Sequence, residues 1–291
     1  MKKLRMAVAQ PYTRLGDVDG NLDQTVELSR TAAAAGCRLI LFPETSLYGY
    51  SVPPEVLAKA TTADGPVAER LLKCAQDNQI ALAAGVFERD SDSDEIYISQ
   101  FIALPSGELV VQRKSGGHEK PGIARPPKER KLFSVDGVSC CVVICIDSVM
   151  PGVFEDLVNL GCQVELVPTA GGGAYGCYHL EDWNDREKYE EYETAMSKSC
   201  FPGGGAMWHR HALHMVLACA NLATGDDGCD YFQQGHSMII DSDGALLGLI
   251  PGSHVQEHFC PKMVWADITP RTPQHLPPDA LYPPPGAAAS A

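Results

Sequence analysis

VVICIDSVMPG, residues 142–152, is an apolar run that reaches Cys145 and then breaks at Pro151-Gly152. A cysteine inside a strand usually serves as a small hydrophobic residue. A cysteine at the carboxyl edge of a strand lies where α/β sheets bind their ligands. Position alone favours the first interpretation, so the choice depends on which residues occupy equivalent places elsewhere in the chain.

Strand and helix patterns alternate on both sides of this run, which predicts a mixed α/β domain with sheets covered by helices. Strands are predicted at LRMAVAQ, RLILFPET, IALAAGVFE, VSCCVVICID, VELVPTA and KMVWADI. Helices are predicted at NLDQTVELSRTAAAAGC, GPVAERLLKCAQDNQ and PGVFEDLVNLGC. The first helix is predicted to have Asn21 as its N-cap and Gly36 as its stop signal.

Two β-hairpins complete the predicted domain. One joins IYISQFIAL to LVVQRK through the turn PSGE, and the other folds SMIIDSDGALLGLI around Asp243-Gly244. From Pro270 onward the sequence is rich in proline and alanine, which is typical of a loose arm. We therefore predict one domain over residues 1–269 and a tail over residues 270–291.

Composition excludes several classes of partner. The 291 residues are 45% hydrophobic and carry a formal net charge of -14, which argues against nucleic acid or an anionic membrane as a partner. No apolar run approaches the roughly 20 residues of a membrane span. The eleven cysteines are scattered, without CxxC pairs at zinc-like spacing. We expect reduced thiols in a soluble, cytoplasmic protein.

Three polar residues of different chemistry share one kind of position. Glu44, Lys114 and Cys145 each end a predicted strand. A lysine close to a thiol favours its thiolate, and a carboxylate can take and return the proton. The ammonium group can also stabilise an oxyanion on a substrate carbonyl. This combination makes a catalytic interpretation of Cys145 as good as the structural one.

The chain also resembles the nitrilase superfamily, the carbon-nitrogen hydrolases. The matching segments, in the order of that family, are LRMAVAQ, GCRLILFPE, VVQRK, VSCCVVICID, LGCQVELVPTA, RHALHMVLACANLATG and GHSMIIDSDGALLG. The resemblance implies a Glu-Lys-Cys triad of Glu44, Lys114 and Cys145. A second glutamate of the family is assigned to Glu129, with Glu119 as the alternative. The resemblance further implies a four-layer α-β-β-α sandwich, no metal or organic cofactor, and a homo-oligomer such as a dimer.

The family mechanism then assigns a role to each residue. Glu44 acts as general base and acid, Lys114 stabilises the oxyanion, and Cys145 forms a thioester that water hydrolyses. Glu129 would orient Lys114 and hold the amide nitrogen. The backbone N–H of Ile146 would face the carbonyl under attack, and Tyr48 and Trp183 are the further predicted substrate contacts.

The departures from the family pattern bear on the substrate. After Asp147 the chain lacks the basic residues that hold a substrate carboxylate, which disfavours carbamoylated amino acids. Ile146 stands where true nitrilases commonly have tryptophan, which disfavours nitriles. A small amide is therefore the expected substrate. Nitrile hydrolysis, acyl transfer and a non-catalytic binding protein of the same fold are the alternatives.

Two further segments carry open alternatives. Residues 171–205 place Trp183 in an acidic, aromatic stretch between glycine runs, which indicates either a lid that favours neutral or cationic amides or a surface helix. His209, His211 and His214 lie close together in HRHALH. If this segment is helical, only residues 210 and 214 share a face, so packing or a subunit contact is favoured over a metal site.

Overall fold

The computed structural model describes residues 3–117, 120–170, 214–221, 223–224, 233–235, 237–250 and 262–275. Two six-stranded sheets form the framework of this part of the chain. Within the same residues, no helix is both long enough and apolar enough to cross a bilayer.

The first sheet draws five of its strands from the amino-terminal part of the chain and one from the carboxyl-terminal part. They are β1 (Leu4–Ala9), β2 (Leu39–Leu41), β3 (Ala81–Arg89), β4 (Ile96–Ala103), β5 (Leu109–Arg113) and β14 (Met263–Ile268). Their order is β14-β1-β2-β3-β4-β5, with β1, β2 and β3 parallel and the other pairs antiparallel. The parallel strands are connected through α1 (Val18–Ala34), α2 (Pro54–Leu57) and α3 (Pro66–Asn78).

The second sheet repeats this plan. Its strands are β6 (Leu132–Val135), β7 (Val138–Val142), β8 (Val164–Thr169), β9 (Val216–Asn221), β12 (Met238–Ile240) and β13 (Leu246–Leu249). Their order is β13-β12-β9-β8-β7-β6, with β7, β8 and β9 parallel. The helix α4 (Val153–Asn159) joins β7 to β8, and a small separate pair consists of β10 (Ala223–Thr224) and β11 (Gln233–Gln234).

The two sheets pack face to face, and side chains of β7 show how each layer is filled. Cys140 and Val142 belong to the main core together with residues of the first sheet such as Leu41. The intervening Cys141 and the following Val143 pack instead with α4, because successive side chains of a strand point to opposite faces. With α1 and α3 on the first sheet, the predicted four-layer α-β-β-α sandwich is confirmed.

This arrangement brings several strand ends to one edge of the sandwich. Since β4 is antiparallel to both β3 and β5, β5 ends on the same side of the first sheet as β2 and β3. Across the sandwich, β7 and β8 also end on that side, as the contacts of their following residues show. Loops that leave β2, β5, β7 and β8 therefore meet, as expected for a ligand site in an α/β protein.

Both predicted hairpins are confirmed, since β4 pairs with β5 and β12 with β13. A third hairpin, β6–β7, was missed. Its turn is Asp136-Gly137, with φ of +50° and +77°, which is the backbone of a tight primed turn. The segment MVLACAN, for which no strand was predicted, forms β9. The predicted tail begins at Pro270, which is buried, and residues 276–291 lie outside the described residues.

Two predicted boundaries were wrong. Helix α1 begins earlier than predicted, because Asp17 is its N-cap and accepts a hydrogen bond from Gly20 N. Asn21 is buried inside the helix, and its side-chain amide donates to the carbonyl oxygens of Arg14 and Leu47. The strand predicted through Cys145 stops at Val142, and Cys145–Val149 forms a 3₁₀ helix.

Candidate active site

Glu44 and Lys114 form a buried ion pair at the shared edge of the sheets. Glu44 follows β2, and Lys114 directly follows β5. The Lys114 Nζ atom lies 2.6 Å from Glu44 Oε1, and the two side chains are 8% and 0% exposed. A charged hydrogen bond of this length in such a buried setting fixes the positions of both groups.

Cys145 reaches the same place from the second sheet. Its φ of +51° lies in the left-handed region, which costs a non-glycine residue roughly 1 kcal/mol or more. The residue turns the chain out of the β7 direction and into the 3₁₀ helix. Of the seven described cysteines, six are buried and Cys145 is partly exposed. The Thr169 hydroxyl, at the end of β8, donates a hydrogen bond to Cys145 Sγ over 3.4 Å.

The thiol of Cys145 is neutral in this environment. Burial and the negative charge of Glu44 raise its pKa to about 11, although Lys114 and the hydrogen bonds from Thr169 and Ala170 act in the opposite direction. At pH 7 the thiolate fraction of a group with such a pKa is about 10⁻⁴. Reaction at neutral pH therefore requires a base that removes the proton during attack.

Lys114 keeps its positive charge. Burial lowers the pKa of the ammonium group, but the charge of Glu44 and the hydrogen bond to Glu44 outweigh burial and raise it above its usual value. A permanently charged ammonium group is suited to stabilising an oxyanion, and it cannot itself act as the base.

Glu44 is held by its surroundings on two sides. Its second oxygen, Oε2, accepts a hydrogen bond from the Ala170 backbone N–H over 3.1 Å. On the other side, Gly85 of β3 packs directly against the Glu44 loop. A Cβ at Gly85 would lie 2.2 Å from Thr45 N and 2.4 Å from Pro43 O. Because these are backbone atoms, Gly85 is required for the loop to lie this close to the sheet.

The structure thus brings Glu44, Lys114 and Cys145 together, but it places Glu129 elsewhere. The Glu129 side chain is 66% exposed, and its carboxylate lies 3.4 Å from Lys131 Nζ. Glu129 was predicted to orient Lys114, and this role requires its carboxylate to lie beside the Lys114 ammonium group. The described ion-pair partner of Lys114 is Glu44 instead. The alternative, Glu119, lies outside the described residues.

The three predicted substrate contacts, Ile146, Tyr48 and Trp183, differ in outcome. Ile146 is 38% exposed next to Cys145, and the part played by its backbone N–H stays a prediction. Tyr48 was predicted to contact substrate, and its position contradicts this. The side chain is completely buried, packs edge-on against Phe87, and donates its hydroxyl hydrogen to Lys59 O over 3.0 Å. Trp183 lies outside the described residues, as does the whole segment 171–205.

Tyr50, rather than Tyr48, lies beside the triad. Its ring centroid is 5.7 Å from Lys114 Nζ and 3.9 Å from Lys120 Nζ. Tyr48 lies in a turn and Gly49, with a φ of +80°, separates it from Tyr50, so the sequence alone does not show which of the two side chains faces the site. Thr169 and Ala170 were missed as well, although they end the predicted strand VELVPTA and the strand-end argument used for Cys145 applies to them equally.

A small cavity of about 20 Å³ adjoins Lys114. Its described lining consists of Tyr50, Ile98, Lys114, Gly116, Lys120, Ile123, Ala124 and Arg125. Two basic side chains, Lys120 and Arg125, thus lie near Lys114 in the loop that follows it. Their charge acts against the predicted rejection of amides with a carboxylate, which stays a prediction.

The histidine segment lies largely outside the described residues, which include His214 but neither His209 nor His211. His214 has a φ of +60° and stands directly before β9, so the helical spacing assumed for residues 210 and 214 does not hold at His214. Within the described part of the chain, no three His, Cys, Asp or Glu side chains are grouped as a metal site would require.

Comparison with known proteins agrees with this architecture. Residues 5–254 match the carbon-nitrogen hydrolase family. A glutamine-dependent NAD(+) synthetase of Thermotoga maritima is 27% identical over 85% of this chain, and an aliphatic nitrilase of Rhodococcus rhodochrous is 32% identical over 38% of it. The matched regions span only 40% and 33% of the lengths of these two relatives.

Among solved structures, a mutant of an amidase from Nesterenkonia AN1, a nitrilase superfamily member, superposes with a TM-score of 0.70. The match covers 91% of this chain and 90% of the amidase at 22% identity. At that identity the likeness concerns the fold.

Proposed function

The chain belongs to the carbon-nitrogen hydrolase family, and from this premise we propose that it hydrolyses the carbon–nitrogen bond of a small amide through a thioester on Cys145. The observation that carries the proposal is the meeting of a partly exposed thiol with a buried carboxylate–ammonium pair. These three groups supply a nucleophile, a base and an oxyanion partner.

In the acylation step, Glu44 takes the thiol proton as Sγ of Cys145 attacks the amide carbon. The new S–C bond converts the carbonyl oxygen into an oxyanion, which receives hydrogen bonds from Lys114 Nζ and from the Ile146 backbone N–H. When the C–N bond breaks, Glu44 returns the proton to the leaving nitrogen, so that ammonia or an amine departs and a thioester remains.

In the deacylation step, Glu44 removes a proton from water as the water oxygen attacks the thioester carbon. The same two donors hold the second oxyanion. The C–S bond then breaks, the proton passes from Glu44 to Sγ, and the carboxylic acid leaves a neutral thiol. The raised pKa of Cys145, about 11, supports this scheme, since the thiol starts and ends each cycle protonated.

Ammonia release from a panel of small amides and nitriles with matched acyl chains tests the proposal. We expect faster turnover of amides than of nitriles, and acylation of Cys145 that is visible by mass spectrometry of the intact protein. Added hydroxylamine should divert the thioester to a hydroxamate. If nitriles are turned over instead, the amide assignment is wrong. A lack of both turnover and acylation would favour the non-catalytic binding protein.

The panel should include neutral amides and their ω-carboxylate analogues of equal chain length. Lys120 and Arg125 would favour the carboxylate analogues, whereas the exposed apolar side chains of Ile146 and Met150 would favour neutral chains. The ratio of the two kcat/KM values decides which part of the described surface selects the acyl group.

We also propose that the protein forms a homodimer or a higher homo-oligomer, as the family resemblance implies, and that it works in the cytoplasm, which the free thiols of the described cysteines support. Light scattering at micromolar concentration should give at least twice the chain mass of 31.3 kDa. A mass equal to that of one chain would contradict the oligomer.

A further inference from the structure

Lys114 and Cys145 must lie at a fixed distance for the proposed reaction, yet they belong to different sheets. Lys114 follows β5, the edge strand of the first sheet, and Cys145 follows β7 of the second. An edge strand has a neighbouring strand on one side only, so the sheet holds it with fewer hydrogen bonds than a central strand. Catalytic groups misplaced by about 1 Å can cost roughly 100-fold in rate. Some contact between the sheets must therefore keep the Lys114 segment in place.

Asp147 makes such a contact. It lies in the 3₁₀ helix two residues after Cys145, and its side chain is 1% exposed. Oδ2 accepts hydrogen bonds from Ser115 N over 2.9 Å and from Ser115 Oγ over 3.1 Å. Oδ1 accepts one from Gly116 N over 2.5 Å. Each carboxylate oxygen thus holds a different backbone N–H of the loop that directly follows Lys114.

The loop sequence is adapted to this contact. A Cβ at Gly116 would lie 2.6 Å from Asp147 Oδ1, so a larger residue would push the carboxylate away. Gly117 has a φ of +107°, which favours glycine. A Cβ there would lie 3.3 Å from Ile146 Cγ2 and 3.8 Å from Lys114 Nζ. The segment Ser115-Gly116-Gly117 can therefore pack closely against the turn that begins at Cys145, which we call the nucleophile turn, because two of its three residues are glycines.

The buried charge of Asp147 is compensated locally. Arg130 Nη1 lies 3.7 Å from Asp147 Oδ2, and the Arg130 side chain is 5% exposed. Arg130 Nη2 also donates to the Asp147 backbone oxygen over 3.5 Å. Two backbone donors, a hydroxyl donor and a nearby guanidinium group thus surround the Asp147 side chain, and this set of contacts holds the loop firmly.

We propose that Asp147 is a positioning residue that ties the Lys114 loop to the nucleophile turn across the two sheets. The inference rests on the proposed function, because it concerns the two groups assigned to the oxyanion. Lys114 directly precedes the loop that Asp147 holds, and Ile146 directly precedes Asp147 itself. If the tie is lost, the two donors no longer converge on one oxygen, and the transition state is affected more than substrate binding.

Asp147→Asn tests the tie with almost no change in shape. The two carboxylate oxygens each accept a backbone N–H, so the asparagine NH₂ group must face one of these donors whichever way the amide is turned. We expect kcat to fall roughly 10- to 100-fold while KM changes less than about threefold. Asp156→Asn is the matched control, since Asp156 pairs with Lys128 at the surface and its kcat should stay unchanged.

A readout that needs no substrate separates this proposal from the proposed function. Lys114 lowers the pKa of Cys145, so a displaced Lys114 should slow alkylation of Cys145 by iodoacetamide at pH 8 at least fivefold in Asp147→Asn. This can be measured by peptide mass spectrometry even if no amide is turned over. Unchanged or faster alkylation, or a kcat within twofold of wild type, would overturn the proposal.

Gly116→Ala provides a second route if Asp147→Asn folds poorly, because it disturbs the same contact from the opposite side. It should reproduce the loss of kcat and the slower alkylation. When both variants fold, the double variant should lose little more than either one alone, since residues acting through one contact are not additive. Additive losses would show that Asp147 and Gly116 act separately and would refute the tie.

Discussion

Cys145→Ala is expected to abolish turnover while leaving the protein folded. The substitution removes Sγ, the proposed nucleophile, and loss of a nucleophile in comparable enzymes costs several orders of magnitude in kcat. The side chain is partly exposed, and its described hydrogen bonds come from Thr169 and from the Ala170 backbone. We therefore expect the free energy of unfolding to change by less than about 1 kcal/mol. Ammonia release and thermal unfolding of the same preparation measure both effects.

Cys74→Ala is the matched control, because it removes a buried thiol that packs in α3 far from the strand ends. It should retain turnover and lose some stability, which is the opposite pattern. Residual activity of more than a few per cent in Cys145→Ala would contradict the assignment of the nucleophile. A Cys145→Ala protein that fails to fold would show instead that the thiol is structural.

Lys114→Met is expected to have the largest combined effect on activity and stability. It removes the oxyanion partner, and it leaves the Glu44 carboxylate buried without its ion-pair partner. Breaking a buried ion pair from one side costs about 3 to 5 kcal/mol, and here the two side chains are 8% and 0% exposed. Denaturant unfolding should therefore show a clear loss of stability in addition to a loss of turnover.

The double variant Glu44→Gln with Lys114→Met separates the two effects. Neutralising both partners removes the unpaired charge, so the free energy of unfolding should recover in part. Turnover should not recover, and the activity loss should hardly exceed that of either single variant, because the groups act as one unit. Independent, additive losses of activity would mean that Glu44 and Lys114 do not share a site.

Lys73→Met is the surface control for this pair. Lys73 lies 2.9 Å from Asp77, but the two side chains are 75% and 53% exposed. Exposed ion pairs contribute about 0 to 1 kcal/mol, so Lys73→Met should leave both stability and turnover near the wild-type values. If it destabilises as much as Lys114→Met, burial is not the cause of the larger effect.

Local sequence signals predicted much of the fold, and a contact between distant segments explains the wrong N-cap of α1. The hairpin turn at Asp243-Gly244 was predicted correctly because turn chemistry depends on neighbouring residues. Asn21 has good capping chemistry, but its side chain is occupied by the carbonyl oxygen of Leu47, 26 positions away. Asp17 therefore caps α1 instead. Contacts between distant segments overrode a local preference that was sound by itself.

The candidate site likewise has some features that the sequence predicts and others that it does not. That Glu44, Lys114 and Cys145 follow apolar strands could be read from the sequence, because strand ends are marked by local patterns. Which tyrosine faces the site, Tyr48 or Tyr50, could not, because side-chain direction in a loop depends on the surface that covers it. For the same reason, the sequence does not show that the Glu129 side chain is exposed.

By itself, the sequence determined the alternation of strands and helices, the turns and the three reactive residues at strand ends, because each of these depends on neighbours in the chain. The tertiary structure alone decided how these residues are held together. Ala170 N–H reaches Glu44 across 126 positions, and Asp147 reaches Ser115 across 32. Such hydrogen bonds exist only after two sheets have packed face to face, and packing depends on the shapes of both surfaces at once.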